Sequence, residues 1–137
     1  MFGTVRRTYD ALNRVSSYID QFGHGVGYEY DEVGNLKKII YPEGSEVIYD
    51  YDENNNIKSV TDWDYRKTLY IYDENNRVIG IKKPDGSISQ TEYDKAGRVT
   101  KTLTVSPHGV VITGFEYRIN LNLTNILPIP IGMGILI

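Results

Sequence analysis

The chain has 137 residues, 40% hydrophobic content and a formal net charge of −3, which fits one domain of a soluble globular protein. It contains no cysteine, which removes disulfide frameworks and thiolate metal sites without arguing against secretion. With a pI near 5.3 it lacks the basic stripe that a nucleic-acid or anionic-membrane partner requires, so neither is expected.

At the N-terminus, Met1 to Arg7 shows no apolar run after its charges, and no signal peptide is visible. Either the chain is cytoplasmic or its true beginning lies elsewhere. The first Tyr-Asp pair follows at Tyr9-Asp10. It returns at Tyr30-Asp31, Tyr51-Asp52, Tyr72-Asp73 and Tyr93-Asp94, always 21 residues on and without insertion. A fixed period of this length is the mark of a repeat architecture.

Each pair opens one phrase, Tyr-Asp-x-x-Gly/Asn-Arg/Asn-aliphatic, as in Tyr30 to Leu36, Tyr72 to Val78 and Tyr93 to Val99. Gly34 and Gly97 share the fifth place with Asn because both residue types tolerate positive φ. The Asp carboxylate can accept bonds from backbone amides ahead of it. The phrase therefore predicts a tight turn. A second turn falls in mid-repeat at Pro42-Glu43-Gly44 and Pro84-Asp85-Gly86, with Trp63-Asp64-Tyr65 as a degenerate copy between them. Pro sets φ at the second turn position and Gly relieves the exit.

Between the turns lie Leu36 to Tyr41, Glu46 to Tyr51 and Lys67 to Tyr72, rich in β-branched and aromatic residues, and these read as strands. Each repeat becomes strand, turn, strand, turn. The predicted fold is all-β, an antiparallel meander of about ten to twelve strands, with no helix. By the two-residue period Val47, Tyr49 and Tyr51 share a face, as do Thr68, Tyr70 and Tyr72, while Ile48, Asp50, Leu69 and Ile71 face the other way. A sheet curved around an interior, with unequal covering on its two sides, is expected.

Residues 1–104 carry the five repeats. Residues 105–118 form a degenerate sixth, in which Pro107-His108-Gly109 resembles the mid-repeat turn after a small insertion and Arg118 stands in place of Asp. Residues 119–137 carry no charge. Their unbroken apolar run, Ile126 to Ile137, is short against the roughly 20 residues needed to span a bilayer. A buried or disordered end, from a truncated or shifted reading frame, is the expectation there.

The constant period, the Tyr-Asp phrases and the intervening Pro-x-Gly closely resemble the YD repeats of the Rhs family, over residues 5 to 105. The family includes bacterial polymorphic toxins, wall-associated proteins, C components of insecticidal toxin complexes and teneurins. The resemblance implies a β-sheet wound into a large hollow shell, of which this chain is a segment. It implies further repeats of a larger protein as partners, with an encapsulated toxin polypeptide, and a secreted, cell-surface or wall-associated location. Self-association through bare sheet edges is the alternative expected of such a sheet. The family's aspartate-based self-cleavage does not carry over, because Val105 to Ile137 holds no Asp-Pro-x-Gly phrase.

No catalytic residue, metal site or cofactor is expected. Asp52 to Asn56 has oxygen ligands at alternating positions, but Ile57 replaces the Gly of a calcium loop and Trp63 its bidentate Glu. His24 and His108 have no partner at ligand or triad spacing. The carboxylates recur at equivalent turn positions, whereas a catalytic pair needs one singular arrangement. The Tyr and Asp of the five pairs, with Gly34, Gly97, Pro42, Gly44, Pro84 and Gly86, are assigned structural roles. An alternative remains open, a surface carbohydrate-binding module whose Tyr28, Tyr49 and Tyr70 stack on sugar rings.

Overall fold

The structure, a computed structural model, describes residues 4–117 and the backbone of 129–130. Among these residues there is no helix. The chain divides into two compact units, Met1–Lys67 and Thr68–Ile137.

The first unit holds β1 (Arg6–Tyr9), β2 (Val15–Ile19), β3 (Gly25–Tyr30), β4 (Leu36–Ile40), β5 (Glu46–Tyr51) and β6 (Ile57–Thr61). Each strand pairs antiparallel with the next. The second unit repeats the scheme with β7 (Lys67–Tyr72), β8 (Val78–Lys82), β9 (Ile88–Tyr93), β10 (Val99–Val105) and β11 (Val111–Glu116). The two-residue β12 (Ile129–Pro130) pairs with β11. The all-β antiparallel meander expected from the period is what forms, and the strand limits fall where the turn residues place them.

The ten described turns share one geometry. In each, the fourth residue's amide donates to the first residue's carbonyl, and the first residue's amide donates to the fifth residue's carbonyl. For example, Asn13 N–H reaches Asp10 O at 3.0 Å and Asp10 N–H reaches Arg14 O at 2.8 Å. The fourth residue always has positive φ, from 59° at Asn76 to 101° at Gly34. Only Gly and Asn take that position, except at Tyr65, with φ 60°. The segment read as a degenerate Pro-x-Gly is thus the same turn, forced on a residue that disfavours it.

The two kinds of hairpin differ in register. Every hairpin closed by a Tyr-Asp turn carries a bulge beside the turn, at Thr8/Tyr9, Glu29/Tyr30, Asp50/Tyr51, Ile71/Tyr72 and Val99/Lys101. The β2–β3, β4–β5 and β8–β9 hairpins have none. β10 is seven residues long, and its pairing with β11 has a further shift at Thr104/Val105, where Thr104 opposes Thr113 and Val105 opposes Val111.

Covering of the two faces is unequal. In β7, Thr68, Tyr70 and Tyr72 are half-buried, whereas Leu69 is 37% and Ile71 53% exposed. In β5, Val47 is buried and Tyr49 and Tyr51 are half-buried. Val47, at 7%, is the one apolar side chain in the buried class among the described residues. Cross-strand pairs stand in for a core: Tyr28 opposes Ile39, Ile39 opposes Val47, and Tyr49 opposes Val60. Gly80 opposes Ile71, whose Cβ would lie 3.3 Å from a Cβ at residue 80. That glycine lets the isoleucine lie across the neighbouring strand.

Candidate functional site

The recurrent cluster is built around the Tyr-Asp turn. In all five, the Asp Oδ1 accepts the amides of the residues two and four positions ahead; at Asp10 these are Leu12 and Arg14, both at 2.9 Å. Asp31, Asp52, Asp73 and Asp94 repeat the pair. The second oxygen takes the side chain four residues on. Arg14, Arg77 and Arg98 donate Nε–H at 2.7, 2.7 and 2.8 Å, and Asn35 and Asn56 donate Nδ2–H at 3.0 and 3.1 Å. Both carboxylate oxygens thus accept hydrogen bonds inside the turn.

These hydrogen bonds hold every one of these carboxyls below the ordinary aspartate range. For Asp10, Asp52 and Asp94 the foremost cause is the amide four residues ahead, and for Asp73 it is the Arg77 side chain. At Asp31, desolvation is the largest influence and pushes upward, but the Asn35 and neighbouring hydrogen bonds together outweigh it.

Tyr has a separate task. The Tyr30 hydroxyl donates to Val15 O at 2.9 Å, Tyr51 to Leu36 O at 2.8 Å and Tyr93 to Val78 O at 3.0 Å. Each acceptor opens a strand of the preceding repeat, so the hydroxyl ties repeat to repeat where the bulge has interrupted the ladder. Phe could fill the ring's place but not make this bond. Burial, with Asp31 nearby, pushes the Tyr51 phenol up, so it stays a donor at neutral pH.

Turns are also linked to one another. The Arg14 guanidinium lies 4.5 Å from the Tyr30 ring centroid and donates to Asp31 O at 3.2 Å; Arg77 lies 4.4 Å from the Tyr93 centroid. Where Arg is replaced, Asn35 Nδ2–H donates to Asn55 Oδ1 at 2.9 Å. Cation–π stacking and an amide ladder are two solutions to the same joint.

Sequence reasoning missed two members of this set. Asp20 and Asp62 lie in mid-repeat turns without a preceding Tyr, yet they accept the same two amides, from Phe22 and His24 and from Asp64 and Arg66. His24 Nδ1 stands 3.1 Å from Asp20 Oδ2, and Arg66 is doubly bonded to Asp62. The missed signal is an Asp followed four residues later by a side-chain donor. At Pro42 and Pro84 the first residue is Tyr41 or Lys83, and Pro occupies the second position, as expected. Gly44 and Gly86 take φ of 86° and 83°.

The three tyrosines considered for sugar stacking are half-buried. They oppose aliphatic residues, Tyr28 against Ile39, Tyr49 against Val60 and Tyr70 against Ile81. Among the described residues no group of three His, Cys, Asp or Glu could hold a metal ion. The expectation for residues 119–137 lies outside the described residues, apart from the backbone of β12.

Clamped turns, bulges and tyrosine ties at a 21-residue spacing define a meander of YD repeats. The chain belongs to the RHS Repeat family, which matches residues 30–67 and 72–111. Solved structures share the fold. The Photorhabdus luminescens Tc holotoxin pore bearing a TccC3 mutation superposes with a TM-score of 0.72 at 13% identity, covering 88% of this chain and 7% of that one. The TcdB2-TccC3-Cdc42 crystal structure gives 0.72 at 14%, again covering 88% and 7%. The chain therefore spans a small fraction of these neighbours' length. No curated protein matches it in sequence.

Proposed function

We propose that this chain is a structural segment of an Rhs-type β-shell, whose task is to encapsulate or present another polypeptide, a toxin or a surface protein. The carrying observation is the mismatch between hydrogen bonding and burial. Eleven strands of four to seven residues are joined by tight turns, yet among the described residues Val47 alone of the apolar side chains is buried. Leu69, Ile71, Ile88, Val99 and Phe115 remain exposed. Such a sheet acquires its stability when more polypeptide covers its apolar positions and edges. Further repeats of a larger protein are the partner of matching chemistry, and the fold shared with Tc toxin chains supports that reading. The role is structural rather than catalytic, with the protein acting outside the producing cell.

The test compares the isolated chain with the same segment flanked by its neighbouring repeats. By light scattering, the isolated chain should self-associate or unfold at low denaturant, while the flanked protein should be cooperative and shield an internal polypeptide from protease. A stable, cooperative monomer of the isolated chain sinks the proposal. Carbohydrate binding through Tyr28, Tyr49 and Tyr70 is the weaker reading, since their aliphatic cross-strand partners occupy part of the ring surface. Glycan-array binding lost in both Tyr49→Ala and Tyr70→Ala would revive it.

A further inference from the structure

In a repeat, residues at equivalent positions do equivalent work, so a singular departure from the template is where a separate function can sit. The clearest departure is the turn Asp62 to Arg66. Its second residue is the chain's one Trp, where the other mid-repeat turns have Gln21, Pro42, Pro84 and Pro107. Trp63 is 54% exposed, although it is the largest apolar side chain of the protein.

Trp63 stands against Tyr41 of the β4–β5 turn, ring planes 87° apart and centroids 6.3 Å apart. With Glu43 and Ser45 these two rings line a cavity of about 440 Å³. A cation seated between the two rings can lie within about 6 Å of both centroids, the range of cation–π attraction. Glu43 Oε1 accepts a 2.7 Å bond from the Ser45 hydroxyl, which fixes the carboxylate beside the rings. No Lys or Arg among the described residues forms an ion pair with Glu43, whereas Asp62 and Asp64 are neutralised by Arg66 and Glu46 by Lys38.

We propose that the Tyr41–Trp63 corner, with Glu43 as counter-ion, binds a trimethylammonium group of the choline type. Two perpendicular walls suit a roughly spherical, weakly hydrated cation. A sugar ring, which needs one flat platform, can stack on only one of them. A primary ammonium would lose much of its hydration in a corner with two aromatic walls and a single carboxylate.

The lone Trp is its own reporter. Choline chloride titrated into the full chain, against sodium chloride at equal ionic strength, should change Trp63 fluorescence saturably. The neutral isostere 3,3-dimethylbutan-1-ol and methyl glucoside should not. Tyr41→Ala should weaken the response roughly tenfold, the scale of one lost cation–π face. Glu43→Gln lies in an exposed turn; it should weaken choline severalfold with an unchanged far-UV circular dichroism spectrum, which separates loss of binding from loss of fold. Co-sedimentation with phosphatidylcholine vesicles, but not phosphatidylglycerol vesicles, assigns the group to a lipid headgroup; binding of free choline without co-sedimentation assigns it to a soluble ligand. Absence of both, equal binding of the neutral isostere, or preference for the sugar would overturn the proposal.

Discussion

Within each unit successive turns fall on alternate edges of the meander, and the two edges are built to different tolerances. On the Tyr-Asp edge every turn has the same carboxylate clamp and bulge, and Tyr30, Tyr51 and Tyr93 donate to the preceding repeat. On the other edge the backbone geometry is equally constant, but its chemistry varies: Asp20 and Asp62 clamp, Pro42 and Pro84 fix φ, and Ser106 caps Val110 with its hydroxyl at 3.1 Å. One backbone solution can therefore be reached by several side chains. The invariant edge couples repeats, and the variable edge is free to acquire binding chemistry.

Acid should break the clamped edge first and most completely. All five Tyr-Asp carboxyls, with Asp20 and Asp62, are held below the ordinary aspartate range. A depressed folded-state pKa stabilises the fold above the unfolded value and loses that contribution as pH falls through the folded value. Unfolding followed by circular dichroism should therefore show stability holding from neutral pH to about 4 and collapsing below it. A chain equally stable at pH 2 and pH 7 would mean that the clamps are incidental.

Truncation should separate the edges next. Tyr51→Ala removes a half-buried ring and an inter-repeat bond, and should cost roughly 2–3 kcal/mol in urea unfolding. Tyr65→Ala, at a side chain 89% exposed, should stay within about 0.5 kcal/mol. Equal losses would refute the asymmetry. Tyr51→Phe isolates the hydroxyl and should cost about 1 kcal/mol through the lost bond to Leu36 O.

The legible part of this fold was whatever the chain repeats. Fixed spacing revealed the five Tyr-Asp turns, and Gly or Asn at their fourth position announced positive φ. The roles of Asp20 and Asp62 were hidden because the turn recurs at half the period, without Tyr to mark it. The tyrosine ties were hidden for another reason: Tyr51 and Leu36 are neighbours only once the register and its bulge are known. The same holds for the Tyr41–Trp63 corner, whose residues lie in different hairpins.

Tyr65 offers the smallest effect but tests the shared turn geometry most directly. Its φ of 60° matches Asn13, Asn55 and Asn76, at 62°, 63° and 59°, although a tyrosine Cβ makes this region costly by about 1–2 kcal/mol. Because Asn tolerates the region better, Tyr65→Asn should raise stability by about 0.5–1 kcal/mol. The gain must come without added contacts, since the ring it removes is almost wholly in water. If the variant is instead destabilised, backbone geometry does not govern this position. The ring would then be making a contact that only the surrounding protein supplies, which would move Tyr65 from the turn's scaffold to its binding surface.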